Sequence, residues 1–454
     1  MVFFAGAVFL VLGVEMEGSL PKRRIGGRGG ESGIIRWIKH NSGRVRYQLG
    51  IGVVVSCVVP VMMRWDIGLA EKAAIASQWN SFVATVLAVV SAYFVVRRLK
   101  RYPGVAGMSF ILPTFTVTFA IALFVFAFLR LDYSRLFLLV SFVNAQIWFH
   151  LVYLVSSRAN KLTFAVVPGG NAGRLADIQS VDWWFLDKPA LEGEAPSGVA
   201  ADLRADLGDK WEAFIAEIAI SGIPVYHYKQ IRETLTGQVQ IEHLSENNLG
   251  SLLPDFVYLR FKQSIDFVAA MLLFPVLLPI FVVIGICIKL DSKGPVFFRQ
   301  RRMGFRGTMF QVWKFRSMIH DGPTQPMNRA VAITQTADPR ITRFGAFLRR
   351  TRLDELPQIF NILRGEMSWI GPRPEAVSLS HWYESELPFY RYRQIVRPGI
   401  TGWAQVNQGH VANVDDVRSK LHYDFYYIKN FSVWLDILIV MRTIVTILTG
   451  FGAQ

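Results

Sequence analysis

The chain has 454 residues, 52% of them hydrophobic and only 18% charged, short of the roughly one quarter usual in soluble domains. Such a composition points to membrane embedding and excludes a disordered, collagenous or coiled-coil chain. The surplus of 49 lysines and arginines over 34 acidic residues, net +15, suits an anionic partner; the two cysteines, Cys57 and Cys287, both in apolar runs, exclude a disulfide framework and a zinc cluster.

Residues 1–14 are apolar but lack a basic start and run into Glu15 and Glu17, so they do not read as a secretory signal and take no assignment. The Gly-rich basic stretch Lys22–Arg46 completes a flexible tail expected over residues 1–46, set against anionic lipid. Residues 47–156 hold four apolar runs, Tyr47–Met63, Trp79–Val96, Met108–Leu129 and Leu136–Ser156, each near the ~20 residues a spanning helix needs. Arg97, Arg98, Lys100 and Arg101 join the second and third runs, whereas the outer loops carry little net positive charge. Both ends of a four-helix transmembrane bundle are therefore expected in the cytoplasm.

Residues 157–257 read as a small cytoplasmic α/β module of reduced Rossmann-like type. Lys161–Val167, Val181–Leu186 and Pro224–Tyr228 have extended patterns, and Asp209–Ser221 has helical spacing. The turn Pro168–Gly173 lacks the full glycine spacing of a dinucleotide site, so it reads as a plain tight turn, with phosphate binding the alternative. No catalytic part is assigned to this module.

Residues 258–454 open with Phe261–Leu290, apolar from Phe267 to Ile288 and carrying Lys262 and Asp266 in its first turns. Pro275 and Pro279 each remove a helical hydrogen bond, so the helix is expected to bend sharply and to re-enter from the cytoplasmic face rather than span. A span would also carry Arg299, Arg301, Arg302, Lys314 and Arg316 outside. Near the C-terminus, Phe431–Gly450 is broken by Asp436 and Arg442 and reads as an interfacial helix.

Six motifs run in order through this region: Lys289–Gln300 (KLDSKGPVFFRQ), Lys314–Met318 (KFRSM), Asp338–Thr342 (DPRIT), Leu353–Gln358 (LDELPQ), Gly371–Glu375 (GPRPE) and Arg397–Trp403 (RPGITGW). From Phe261 to Gly450 the chain resembles the bacterial sugar transferases, the monotopic phosphoglycosyl transferases that load a hexose 1-phosphate onto a polyprenyl phosphate. With the four runs and the module in front, it resembles their long form. Two positions depart from the family pattern: Gln263 follows Lys262 where Lys-Arg is common, and Phe274 precedes Pro275 where serine is common.

The residues fit that chemistry in their own right. Leu353, Leu356, Phe360 and Leu363 repeat at helical spacing, and Pro357 is tolerated only in a first turn, so a helix is expected to begin near Asp354. A carboxylate there meets the positive pole of the helix beside backbone groups able to hold phosphate oxygens. The like charge of Glu355 raises the proton affinity of the pair unless arginine or a divalent cation neutralises it, and Mg2+ held by Asp354 and Glu355 suits that task. The bland alternative is a capping residue followed by a solvated acid.

The resemblance implies that Asp354 attacks the β-phosphate of a UDP-sugar, releases UMP and passes the sugar phosphate to undecaprenyl phosphate in a second displacement, with ping-pong kinetics. Glu355 then positions metal or assists proton movement. Arg373, between Pro372 and Pro374, is the leading phosphate ligand, with Arg349, Lys314 and Arg316 further candidates. Arg340, Arg343, Arg350 and Arg352 read as structural or membrane-surface charges, and Trp403 and Tyr423 as core aromatics, with contact to uracil or sugar the alternative. UDP-glucose is the expected donor, with UDP-galactose or another UDP-hexose as alternatives. The expected setting is the bacterial inner membrane, multi-pass, with the site on the cytoplasmic face, initiating exopolysaccharide, capsule or O-antigen. Lipid is a partner, nucleic acid is not, and a homo-oligomer stays open. A transporter would need polar or broken segments in the four runs, which are nearly featureless, and a non-catalytic assembly scaffold would tolerate loss of Asp354.

Overall fold

The computed structural model describes residues 45–65, 72–100, 102–103, 107–159, 162–193, 195–241, 254–319, 340–408 and 414–449. Residues 1–14, nearly all of the expected 1–46 tail, and Arg101, Lys161, Asp338 and Pro339 lie outside them. The chain divides into two compact units between Tyr228 and Lys229.

The first unit opens with four long helices, α1 (Val45–Trp65), α2 (Lys72–Leu99), α3 (Gly107–Leu129) and α4 (Arg135–Ala159), which cover the four apolar runs. All four supply one buried cluster, including Leu49, Val89, Ala92, Ile111, Phe115, Ala145 and Phe149. Their outer faces expose Leu87, Phe124, Phe128 and Leu139, a distribution that fits apolar surroundings. The interior is less uniform than the sequence suggests. Ser56, Ser81, Thr85, Thr114 and Ser141 are buried there, and Gln48 accepts from the Tyr93 hydroxyl at 3.0 Å.

A four-stranded parallel sheet follows in the same unit: β1 (Thr163–Val166), β2 (Asp182–Phe185), β3 (Gly198–Ala201) and β4 (Val225–His227), in the order β2-β1-β3-β4. Helix α5 (Asp209–Ile220) buries Phe214 and Ile218 with Val199 and Ala201 of the sheet. Strand β3 is fully buried, and its Gly-Val-Ala-Ala sequence, poor in β-branched residues, hides it from a sequence pattern. The glycine turn after β1 leads into a short 3-10 segment, Ala172–Asp177. Asp202 Oδ2 accepts from the Asn171 amide at 2.9 Å and crowds Gly170. An internal carboxylate thus engages the first free amide of the turn.

The second unit starts within helix α6 (Tyr228–Thr236), and residues 229–241 pack on the C-terminal part of the chain. The Trp403 indole donates to Gly237 at 2.9 Å, the Val239 amide to His422 at 3.0 Å, and Lys429 pairs with Glu233 at 2.7 Å. Helix α7 runs from Phe256 to Asp291, its first amides capped by the Asp255 carboxylate. It continues as one helix through Pro275 and Pro279. Lys262, Asp266, Ala270, Leu277, Phe281, Ile284 and Ile288 form one buried stripe along its length, while Phe261, Leu272, Val276 and Val283 lie exposed. The Ala270–Ile288 part of that stripe packs with Phe310, Val312, Phe315, Leu348, Ile359 and Ile362 further along the chain.

Beyond α7 the antiparallel hairpin β5 (Phe297–Met303) and β6 (Met309–Phe315) turns at Arg306 and Gly307, both at positive φ. Helix α8 (Arg343–Arg350) begins at Thr342, whose hydroxyl accepts from the Gly345 amide. A 3-10 turn, Leu353–Gln358, leads into α9 (Ile359–Leu363), so regular α-helix starts five residues after Asp354 rather than at it. Strand β7 (Ser368–Ile370), helix α10 (Val377–Glu386), strand β8 (Gly399–Thr401, parallel to β7), and helices α11 (Trp403–Gln408), α12 (Val414–Lys429) and α13 (Val433–Thr449) complete the unit. The expected interfacial helix is α13. Its Asp436 is turned inward, accepting from Tyr258 at 2.7 Å and Tyr427 at 2.9 Å and pairing with Lys262 at 2.8 Å. Trp403 is buried as a core aromatic.

Among the described residues five helices, α1 to α4 and α7, are long and apolar enough to cross a membrane.

Candidate active site

Two anchorages bring the site together. Asn361 in α9 accepts from the Trp313 amide at 3.1 Å and donates to the Gln311 carbonyl at 2.7 Å, binding strand β6 to the turn that carries Asp354 and Glu355. The Gly371–Glu375 and Arg397–Trp403 motifs cross backbone to backbone: the Gly371 amide donates to Thr401 and the Gly399 amide to Pro372. A Cβ on Gly371 or Gly399 would strike the backbone of the opposite motif, which explains why both positions carry glycine.

Within this frame Arg373 grips Glu355 with both terminal guanidinium nitrogens, at 2.6 Å and 3.4 Å, and Lys314 donates to the same carboxylate at 2.9 Å. Glu355 is buried, which alone would raise its pKa, but Arg373 and Lys314 outweigh the burial and hold the carboxyl well below the usual range. Asp354 beside it is only 8% exposed, and its Oδ1 has no hydrogen-bond partner. Burial pushes its pKa up, with the charge of Glu355 adding to the push against Lys314, Arg373 and Arg349. Two neighbouring carboxylates thus have divided roles: Glu355 is neutralised by fixed cations, and Asp354 is left with an unsolvated, unpaired oxygen. A side chain in that state is expensive to bury and fits a nucleophile.

Of the expected site residues, the fold groups Asp354, Glu355, Lys314 and Arg373, and brings Arg349 close enough to act on Asp354 electrostatically. Arg316 points elsewhere. Its guanidinium donates to Ser292 O at 2.6 Å, Ser292 Oγ at 2.9 Å and Lys293 O at 2.9 Å, so it caps the end of α7. Pro275 lies inside α7.

A second tier of charges escaped the sequence reading. Arg302 lies on the same face of the hairpin as Lys314 and donates to the Pro374 carbonyl, while Glu375 pairs with Lys420. Arg393 pairs with Asp424 at 2.9 Å and donates to the backbone carbonyl of Arg373 at 2.8 Å. Arg352, at positive φ, adds to the field that keeps Glu355 ionised. Alternation along β5 could have singled out Arg302 once the hairpin register was known; nothing in the sequence marks Arg393 or Asp424.

Among the described residues no three His, Cys, Asp or Glu side chains gather as a metal cage. Both oxygens of Glu355 are already bonded to cations, so Asp354 is the carboxylate of the pair left for a metal. One carboxylate fits magnesium shared with substrate phosphates and does not fit an all-protein site.

Residues 257–450 match the family model described as Bacterial sugar transferase. The chain is also 44% identical, over 89% of its length and 95% of the relative's, to a UDP-N-acetylgalactosamine-undecaprenyl-phosphate N-acetylgalactosaminephosphotransferase of Aeromonas hydrophila. This chain belongs to the bacterial sugar transferase family. It is 33% identical, over 88% of its length and 71% of the relative's, to an undecaprenyl-phosphate glucose phosphotransferase of Komagataeibacter xylinus. A UDP-glucose:undecaprenyl-phosphate glucose-1-phosphate transferase of Xanthomonas campestris pv. campestris is 42% identical over 47% of this chain and 43% of its own. The transferase is therefore an enzyme of the polyprenyl-phosphate sugar-1-phosphate transferase class, and its charged cluster lies inside the matched residues.

Proposed function

We propose that the enzyme transfers a sugar 1-phosphate from a UDP-sugar to undecaprenyl phosphate through a covalent intermediate on Asp354. The free Oδ1 of Asp354, buried beside a fully neutralised Glu355, carries this reading. Asp354 attacks the β-phosphorus, the bond to the bridging oxygen breaks, and UMP leaves with that electron pair. The lipid phosphate oxygen then attacks the same phosphorus and restores the carboxylate. Lys314 and Arg373 keep the pocket positive throughout both displacements. Magnesium fits at the Asp354 carboxylate, where it would neutralise diphosphate charge when bound.

The names of the relatives include N-acetylgalactosamine, glucose and galactose. The N-acetylgalactosamine enzyme is matched over 89% of this chain and 95% of its own length, so UDP-N-acetylgalactosamine joins UDP-glucose and UDP-galactose as the donors to assay. Initiation of a lipid-linked polysaccharide follows from such a product.

The re-entrant reading of α7 gains support from its contacts. A straight helix of 36 residues would be ~54 Å long against ~30 Å of hydrocarbon. Its first turns are bonded to Ser368 and Asp436, and its last to Arg316, all within one charged unit. A polar domain bonded to both ends supports re-entry, with both ends and the active site at the cytoplasmic surface.

The test is purified enzyme incubated with each UDP-sugar in the absence of lipid acceptor, with mass spectrometry of the Asp354 peptide. A sugar phosphate adduct, with one equivalent of UMP released, is expected. UMP release only when acceptor is present, with no adduct, would replace the proposal by direct transfer in one step.

A further inference from the structure

A cavity of about 350 Å3 opens in the catalytic unit beside the first half of α7, within the ~300–1,000 Å3 typical of ligand pockets. Neither Asp354, Glu355, Lys314 nor Arg373 lines it. Its walls are of two kinds. Phe267 and Val268 of α7 with Leu363 of α9 form the apolar side, and the two α7 residues continue into the exposed apolar face that includes Phe261 and Met271 at helical spacing. Arg364 and Arg397 form the cationic side.

Arg397 is half-buried, and its Nε donates to the Gly365 carbonyl at 2.8 Å, which fixes the plane of the guanidinium. Its two Nη groups donate to nothing among the described residues, although four N–H bonds remain on them. Burial and the nearby Arg306 both disfavour its charge, and Asp266 compensates only in part. Asp266, the one acid in the lining, is itself engaged by Ser368 at 2.5 Å and Lys262 at 3.5 Å, which offsets part of its repulsion of an incoming anion. A planar fork with open donors matches the oxygens of a phosphate, and an apolar wall continuous with a lipid-facing helix matches an acyl or prenyl chain.

We propose that this cavity binds the phosphate head of a membrane lipid, with the Arg397 fork on the phosphate oxygens and the chain laid along Phe267 and Val268. The inference does not rest on the reaction assigned to Asp354. Lipid-borne phosphate is the shared chemistry of two sources, bulk anionic phospholipid and undecaprenyl phosphate.

Native mass spectrometry of the full-length protein, titrated separately with phosphatidylglycerol, undecaprenyl phosphate and diacylglycerol, separates these sources. Arg397→Gln removes the fork, and Val268→Trp fills the cavity from an exposed position while leaving Arg397 in place; thermal melting checks both folds. Loss of one charge-assisted pair corresponds to about a tenfold weaker adduct. The expected result is adducts with the phosphate lipids but not with diacylglycerol, weakened about tenfold by each substitution. Weakening of both phosphate lipids assigns a general phospholipid site, and weakening of undecaprenyl phosphate alone assigns an acceptor site. Adducts unchanged in both variants, equal binding of diacylglycerol, or weakening only in Asp354→Asn would overturn the inference.

Discussion

At Asp354 the protein holds a carboxylate in surroundings that disfavour its charge, and this has opposite consequences for stability and for catalysis. Folded Asp354 has a pKa above its ordinary value, so its ionised form at neutral pH weakens the fold, a penalty removed as pH falls through the raised value. Asp354→Asn should therefore abolish transfer, by at least about a thousandfold, while raising the melting temperature by a few degrees, as measured by activity and calorimetry on the same sample. The acid limb of kcat/KM should lie above the ordinary aspartate range. Lys314 lowers the pKa of Asp354, so Lys314→Met should move that limb to still higher pH, as a full pH profile would record. Glu355 has the reverse sign: its depressed pKa contributes stability that is lost only as the pH drops through the acid range. The acids, Arg373 and Lys314 were legible in the sequence because their motifs are contiguous and chemically explicit. Arg316 was misleading, since an arginine two residues from Lys314 in a strand falls on the same face only while the strand lasts, and β6 ends at Phe315.

Among the elements, the motif pair β7 and β8 supports the arginine fork from behind. Arg393 holds the backbone of Arg373, and Asp424 on α12 holds Arg393. Asp424→Asn should leave a buried guanidinium uncompensated and cost roughly 3–5 kcal/mol by denaturant melting of the catalytic unit. Gly399→Ala, where a Cβ meets the Gly371 backbone, should also destabilise, with kcat falling as the Arg373 loop shifts. This tier was illegible in the sequence, because Arg393 and Asp424 are 31 residues apart and meet only through tertiary packing. The long helices, by contrast, were readable within a few residues, since an apolar run of bilayer length rarely forms anything but a membrane helix. Strand β3 was not, because burial on both faces allows Gly-Val-Ala-Ala to pair without the β-branched side chains that mark a strand.

For the whole molecule, the division at Tyr228 and Lys229 falls earlier than the boundary at 257–258 expected from composition, because residues 229–241 bond to α11 and α12. A protein beginning at Lys229 should retain more transferase activity and a higher melting temperature than one beginning at Phe256, compared in the same detergent. Topology has its own test. With Cys57 and Cys287 replaced, single cysteines at Val257 and Leu290, which are 81% and 82% exposed, should both react with an impermeant maleimide from the cytoplasmic side. Labelling of the two from opposite sides would make α7 a fifth span.

Fastened to the catalytic unit at both extremities, by Lys262 to Asp436 and by Ser292 to Arg316, the greasy rod of α7 behaves as a keel. With α7 re-entrant as proposed, the draught at which it settles would set how far Asp354 rides above the oily phase, and a thicker or thinner bilayer would carry that carboxylate with its own leaflet instead of stretching it away.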